Sequence, residues 1–119
     1  MWLKRRREPV PMLDGLIASD EAATCPPVVQ EILQGVRGPA GYQEAYEAIM
    51  SVHMLESPMP LEIFEQAAAL YRTCRAAGFT IRSSHDCLIA VCAIRNDVPL
   101  LHADIDFEHI ARVSTLRFA

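Results

Sequence analysis

The sequence predicts an α/β fold with a short parallel sheet. Several segments repeat apolar residues at helical spacing, and short apolar runs without alternating polar residues lie between them. Helical spacing is typical of amphipathic helices, whereas short unalternated runs are typical of strands that are buried on both faces of a parallel sheet. Helices that alternate with such strands predict an α/β arrangement. A chain of 119 residues fits one domain, spanning residues 1–119.

The start of the chain is predicted to contain a helix, a strand and a second helix. An apolar stripe predicts a short helix over residues 9–19, and residues 21–25 follow as a brief strand. Pro26 begins the next helix, because a proline in the first turn has no N–H to lose. The apolar face of that helix is predicted to comprise Val28, Val29, Ile32, Leu33 and Val36, with Gly35 and Gly38 at its end.

The middle of the chain is predicted to form two helices around a short apolar segment. The first helix covers residues 41–52, and the segment around Met54-Leu55 follows it. A longer helix starts at Pro60, and Gly78 stands where a C-terminal cap is required. One side of this longer helix is predicted to carry Leu61, Phe64, Ala67, Ala68, Tyr71 and Cys74.

The last third begins with a helix that is apolar on all sides and must therefore be buried. Ser83 or Ser84 is predicted to cap it, and residues 87–94 form its apolar interior. Asn96-Asp97 then turns the chain into a buried strand at residues 98–102. A last helix over residues 106–112 and a final strand over residues 114–118 complete the predicted order.

Composition argues against several classes of protein. The formal net charge of −4 disfavours a passive nucleic-acid coat, although local positive charge remains at residues 4–7 and at Arg72, Arg75 and Arg82. The longest apolar run has eight residues, whereas a membrane-spanning helix needs about 18 or more. The basic start MWLKRRR is followed by no apolar core with a cleavage site, so no secretory signal is predicted.

The four cysteines indicate a reducing compartment. Cys25, Cys74, Cys87 and Cys92 form no C-x-x-C pair, and the last two lie within an apolar run, where a thiol behaves as a small hydrophobe. We therefore expect all the cysteines to be reduced and structural, and the protein to be cytoplasmic.

Three carboxylates stand out by their positions. Asp86 is in the first turn of the buried helix, Asp104 comes just past an apolar strand, and Glu31 lies at the border of an apolar helix face. Sites in open α/β sheets form outside the carboxyl ends of strands, where Asp104 falls. Carboxylate oxygens suit Mg²⁺ or Mn²⁺, ions that can orient a water for attack on a phosphodiester.

Each of these carboxylates also has a structural interpretation. Asp86 can be the acid of a capping box with Ser83. Asp104 or Asp106 can be the N-cap of the last helix. Glu31 can be a solvated helix residue. The positions alone leave these alternatives open.

Other catalytic chemistries find less support. His85 adjoins Ser84 and precedes Cys87, but neighbours in sequence on a helix do not face each other, which disfavours a nucleophile activated by this histidine. The four histidines form no i, i+4 pair, so a zinc site is not predicted. The sequence contains neither a G-x-S-x-G elbow nor a glycine-rich phosphate loop.

Three segments of the sequence resemble PIN domains. The run SSHDCLIA at residues 83–90 resembles the family's helix-opening acid and the apolar run after it. The run VPLLHADIDFEHIA at residues 98–111 resembles a strand that ends in the family's D-x-D-F…IA signature. Residues 23–36, ATCPPVVQEILQGV, are similar to the family's second strand and the helix that carries its glutamate. The order and spacing of these motifs make the resemblance specific, and it covers the chain from about residue 2 onward.

The resemblance implies a three-layer α/β/α fold and a metal-dependent endoribonuclease of the VapC toxin type. Matched position by position, Glu31, Asp86 and Asp104 correspond to the family's metal-binding, catalytic acids, and Asp106 is a neighbouring candidate ligand. The implied cofactor is Mg²⁺ or Mn²⁺, and the implied substrate is RNA. The implied partners are a cognate VapB-like antitoxin and a second copy of the chain, because proteins of this family are usually dimers.

The sequence departs from the family pattern at its start. PIN domains begin with a central strand that bears an acid in a V-D-T-S/N context, whereas this sequence starts in the region of the first helix. Without that strand, its neighbours would keep unpaired backbone groups and the site would lack one carboxylate, so we expect weak or absent activity. A mis-assigned start codon, a gene remnant and an expressed short form whose gap another chain covers are the competing explanations. The DNA upstream of Met1 distinguishes them.

Two other functions compete with the nuclease. A catalytically inactive PIN remnant could act as an antitoxin-binding module, because the helices at 9–19 and 41–55 carry apolar residues that could face a partner. Antitoxin capture without RNA hydrolysis in Mn²⁺ would select this alternative. A helical DNA-binding regulator is disfavoured by the acidic net charge and by the lack of a basic recognition helix.

Overall fold

The structure of the chain, a computed structural model, describes residues 22–101 and 104–119. The helix predicted over residues 9–19 and the end of the strand predicted at 98–102 lie outside these described residues. Within them are two short strands and five helices: β1 (Ala23–Thr24), α1 (Pro26–Gly35), α2 (Pro39–Met50), β2 (His53–Met54), α3 (Leu61–Ala76), α4 (Ser84–Arg95) and α5 (Ile105–Arg112).

The described sheet is short and parallel. β1 pairs with β2 in parallel register, with Ala23 beside His53. A second parallel contact is the isolated bridge between Leu100 and Phe118. Where the two strands of the last third were predicted, the described residues show bridge positions at Leu100, Leu101 and Phe118. The predicted α/β class with parallel pairing is confirmed.

Helix α4 is the centre of the core. Its residues 87–93 are buried apart from the half-buried Leu88, as its all-round apolar sequence predicts. It packs mainly against α3 and also contacts α1 and α5. Its first turn is thereby drawn into the protein together with Asp86, which is 1% exposed. In the described part of the chain, no helix combines the length and the hydrophobicity needed to cross a bilayer.

Helix α3 buries a different face from the predicted one. Ile63, Ala67 and Cys74 are its buried residues. By contrast, Leu61 is 73% exposed, and Phe64 is also exposed. The buried residues lie on one stripe at i, i+4 and i+11, so the helix is rotated by about one residue from the predicted orientation. The predicted face is correct at Ala67 and Cys74, and Tyr71 is half-buried against the core. It is wrong at Leu61, Phe64 and Ala68, which are exposed.

Helix α2 leaves an apolar stripe exposed. Ile49 is its buried residue, whereas Tyr42, Tyr46 and Met50 are exposed. These exposed residues follow one another at i, i+4 and i+8 and therefore share one side of the helix. We call them the α2 stripe. The helix begins at Pro39, two residues before the predicted start.

Helices α3 and α4 are both followed by a residue with left-handed backbone. Gly78 has φ +91°, and the Phe79 N–H donates to the Cys74 carbonyl oxygen over 2.9 Å, which closes the end of α3. Asp97 has φ +51°, a conformation that aspartate adopts more readily than most residues. The predicted cap at Gly78 and the predicted turn at Asn96-Asp97 are both confirmed.

All four cysteines are buried free thiols. A hydrogen bond with Cys92, together with burial, raises the pKa of Cys25. Burial also raises the pKa of Cys87 to about 12. Burial and then the charge of the nearby Asp106 raise the pKa of Cys74. The expectation of reduced, structural cysteines agrees with this arrangement.

We expect the cysteines to be almost unreactive in the folded chain. A thiol reacts as the thiolate. All four thiols are buried, and the raised pKa of Cys25, Cys74 and Cys87 leaves these three with little thiolate at about pH 8. Ellman's reagent should therefore label the four cysteines slowly in the native protein and completely after unfolding in guanidinium chloride. Rapid labelling of any cysteine in the native protein would contradict this expectation.

Candidate metal centre

Asp86 is carried into the protein by α4. It lies in the first turn of the helix and is fully buried. Burial of an ionised carboxylate is costly unless positive charge or hydrogen-bond donors surround it. The positive end of the helix dipole offers part of that compensation. Ser83 is the N-cap of α4, and its side chain makes no capping hydrogen bond.

Asp104 and Asp106 are placed by the start of α5. Asp104 is the N-cap residue, and its Oδ1 accepts a hydrogen bond from the Asp106 N–H over 3.0 Å. Asp106 lies in the first turn and is 2% exposed. Its Oδ2 accepts a hydrogen bond from the backbone N–H of Arg82 over 3.1 Å, which ties α5 to the loop before α4. The N-cap interpretation of Asp104 is therefore confirmed.

The guanidinium of Arg82 lies beside two carboxylates. Its Nη2 is 3.4 Å from Asp104 Oδ1, and its Nε is 3.7 Å from Asp106 Oδ1. The Arg82 side chain is 71% exposed, whereas the Asp106 side chain is buried. The guanidinium therefore contacts these acids from the solvent side.

The three aspartates form one group of carboxylates, which we call the acid cluster. One oxygen from each of Asp86, Asp104 and Asp106 lies within 4.8 Å of the other two. Opposite oxygens around Mg²⁺ are about 4.2 Å apart, twice the ion-to-oxygen distance of about 2.1 Å, so sharing one ion requires only small adjustments of these side chains. Carboxylate oxygens are also the donors that suit hard ions such as Mg²⁺ and Mn²⁺. The three residues therefore fit a divalent cation.

Glu31 lies on α1, which packs against α4, but it is not part of the acid cluster. It lies half-buried on α1. It is not among the described residues whose ligand oxygens lie within 4.8 Å of one another. Gln30, the residue before Glu31, joins α1 to α4. Its Oε1 lies 3.1 Å from Nε2 of His85, the residue before Asp86. The structure thus brings the three aspartates together and leaves Glu31 outside their cluster.

A separate apolar groove lies between α3 and α4, and we call it the α3–α4 groove. It has a volume of about 530 Å³, and none of the three aspartates lines it. Its mostly apolar walls are unsuited to a phosphodiester and suited to apolar side chains. The residues that line it are Phe64, Ala67, Ala68, Tyr71, Arg72, Ser84, His85, Cys87 and Leu88.

Sequence reasoning missed the contacts of Arg82 with the acids. They join residues that are 22 and 24 positions apart along the chain, and no sequence periodicity reports such a separation. One signal was available in the sequence. Arg82 directly precedes Ser83, the N-cap of the helix whose first turn carries Asp86.

Comparison with known proteins identifies the family of this chain. The PIN domain family matches residues 2–113. The chain belongs to the PIN-domain family. VapC ribonuclease Mb1587 of Mycobacterium bovis and ribonuclease VapC11 of Mycobacterium tuberculosis are each 37% identical to it over 106 residues. Each match covers 87% of this chain and 78% of the relative.

Two of the three segments that resemble the family meet at the acid cluster of this PIN domain. Residues 83–90 contain Asp86, and residues 98–111 contain Asp104 and Asp106. The predicted convergence of Asp86 with Asp104 is thus seen in the structure. The predicted neighbour Asp106 belongs to the same group.

We expect Asp104 to have a capping role that asparagine can replace. The asparagine side chain accepts a capping hydrogen bond as aspartate does, whereas alanine cannot. Asp104→Ala should therefore lower the free energy of unfolding by about 1 kcal/mol, and Asp104→Asn should lower it much less. Urea unfolding without divalent cations measures both values. Equal losses in the two variants would show that the charge of Asp104, rather than its cap, stabilises this PIN domain.

Proposed function

We propose that this chain is a metal-dependent endoribonuclease, the toxin component of a VapBC-type toxin–antitoxin system. The observation that carries this function is the acid cluster, with three aspartate oxygens within 4.8 Å of one another in a chain of the PIN-domain family. Its relatives named above are VapC ribonucleases, which supports the hydrolysis of RNA phosphodiesters as the reaction. We include in this proposal a single domain over residues 1–119 and a cytoplasmic location.

Asp86, Asp104 and Asp106 are the residues that we propose as ligands of Mg²⁺ or Mn²⁺. When bound, such an ion supplies positive charge beside the phosphate on which negative charge develops. Asp86 and Asp106 are buried, and a carboxylate removed from water attracts a cation more strongly than an exposed one does. The N-cap hydrogen bond of Asp104 holds its carboxylate in advance, which lowers the entropic cost of assembling the site.

Glu31 is proposed as a further catalytic acid of the same site. The contact between Gln30 and His85 holds its helix beside the first turn of α4, where Asp86 lies. Because Mg²⁺ usually keeps several of its waters, a carboxylate just outside the acid cluster can act through one of them. Glu31 then orients water rather than contacting the ion directly.

RNA binding is proposed to depend on local rather than overall charge. The formal net charge of −4 repels a polyanion at long range. Arg72, Arg75 and Arg82 are exposed on α3 and on the loop before α4. Guanidinium groups pair well with phosphate, so these residues supply local sites of attraction, and Arg82 lies beside the acids.

We expect Asp86→Asn to abolish RNA cleavage while the chain remains folded. Asparagine keeps the size of the side chain and removes its negative charge, and with it most of its attraction for a cation. Cleavage of labelled single-stranded RNA in Mn²⁺ should fall by at least about 100-fold. Calorimetric titration with Mn²⁺ should show weakened binding in the same variant.

Asp97→Asn is the matched control for this experiment. Asp97 is an exposed carboxylate outside the acid cluster, and asparagine tolerates its left-handed backbone. We expect Asp97→Asn to cleave RNA at the wild-type rate. Glu31→Gln should slow RNA cleavage more than it weakens Mn²⁺ binding. Full cleavage by Asp86→Asn would contradict the assignment. Mn²⁺ binding by the wild-type chain without any cleavage would favour the inactive, antitoxin-binding module.

Protein partners are proposed on the basis of two exposed apolar surfaces. The α2 stripe presents Tyr42 and Tyr46, and tyrosine is enriched at protein interfaces. The α3–α4 groove offers a concave apolar surface that includes the exposed Phe64. The partners we propose are a cognate VapB-like antitoxin and a second copy of this chain.

We expect the double substitution Tyr42→Ser and Tyr46→Ser to weaken association without unfolding the chain. Both side chains are exposed, so their loss removes interface area while leaving the core intact. Sedimentation velocity measures self-association, and calorimetry measures the binding of a purified VapB-like antitoxin. Glu44→Gln, which changes an exposed residue on the other side of α2, is the control. Unchanged association in both assays would exclude the α2 stripe as an interface.

A further inference from the structure

Arg82 places one positive charge against two members of the acid cluster. Its Nη2 is 3.4 Å from Asp104 Oδ1, and its Nε is 3.7 Å from Asp106 Oδ1. The guanidinium thus contacts two different carboxylates. In a bidentate pair, by contrast, two of its N–H groups donate to the same carboxylate. Arg82 is therefore shared between neighbouring acids and is not locked in a bidentate pair.

The Arg82 side chain can leave the acid cluster at low cost. It is 71% exposed, so water solvates the guanidinium as soon as it moves away. Exposed ion pairs contribute little to stability for this reason. Both contacts are also longer than the usual separation in a charge-assisted hydrogen bond.

The backbone of Arg82 is held independently of its side chain. The N–H donates to Asp106 Oδ2 over 3.1 Å. The preceding residue, Ile81, is buried, and the following residue, Ser83, is the N-cap of α4. The side chain can therefore move while the main chain and the acids keep their positions.

We propose that the Arg82 guanidinium is the internal counter-ion of the acid cluster and that a divalent cation displaces it. This inference rests on the proposed function, because it concerns the same carboxylates. A dication interacts more strongly with three carboxylates than one charge shared between two of them does. Because the cation must displace the guanidinium, it binds the site more weakly than it would bind the same three aspartates without Arg82. The occupancy of the site then depends on the concentration of free cation.

A purely structural Arg82 would have the opposite effect on cation binding. If its side chain mainly joined the loop before α4 to α5, its removal would loosen Asp104 and Asp106 and weaken the binding of a cation. If it is a displaceable counter-ion, its removal leaves the carboxylates in place with less of their charge compensated. Cation binding then becomes stronger. The two roles therefore predict changes in cation affinity of opposite sign when the Arg82 side chain is removed.

Calorimetric titration of the full chain with Mn²⁺ measures this change in affinity. At low ionic strength we expect Arg82→Gln to bind Mn²⁺ at least about three-fold more tightly than the wild-type chain does. The gain should shrink as salt is added, because salt screens exposed charges. Arg82→Lys restores the positive charge and should return the affinity to near the wild-type value. Arg112→Gln makes the same charge change at the other end of α5 and should leave the affinity unchanged.

The outcomes separate this inference from the nuclease proposal. Circular dichroism without added cation reports whether each variant is folded. Unchanged or weaker Mn²⁺ binding by Arg82→Gln, or its failure to fold, would overturn the counter-ion role and leave the nuclease proposal intact. The absence of Mn²⁺ binding by the wild-type chain and by both Arg82 variants would overturn the two together.

Discussion

Helix α4 has no polar side, and its burial is the constraint on which the arrangement of the acids depends. An apolar helix of this kind is stable only when other elements cover it, and α1, α3 and α5 all pack against it. The covering includes the first turn, so Asp86 is taken out of water along with the apolar residues that follow it. The start of α5 then brings Asp104 and Asp106 beside it. The result is a concentration of negative charge at the edge of an apolar core.

The structural and functional interpretations of these acids are not alternatives. Asp104 caps α5 through Oδ1 and also belongs to the acid cluster. Asp106 accepts a hydrogen bond from the backbone of Arg82 and also belongs to that cluster. An ionised carboxylate has two oxygens with several acceptor positions, so one group can hold the backbone and still offer an oxygen to a ligand. The hydrogen bonds that stabilise α5 thus also position the candidate ligands.

The predictability of each feature from sequence follows from the range of the interaction that causes it. The buried helix α4, the proline start of α1 and the turn at Gly78 depend on local composition, and the sequence predicts all three. The orientation of α3 depends on which stripe meets α4, and the predicted face was displaced by about one residue because neighbouring apolar residues offered a second choice. The prediction that Asp86 and Asp104 share one site came from the family resemblance, because their positions in the sequence alone left a capping role open. The contacts of Arg82 span more than twenty positions along the chain, and local reasoning could not detect them.

The short length of α5 has a thermodynamic consequence. A helix of eight residues is unstable in isolation, so α5 exists only while it is docked on the rest of the protein. Its first turn and N-cap supply two of the three carboxylates of the acid cluster. A cation that needs those carboxylates binds only molecules in which α5 is docked, and by mass action it shifts the population toward the docked form. Docking of this helix and binding of such a cation are therefore linked equilibria, each of which favours the other.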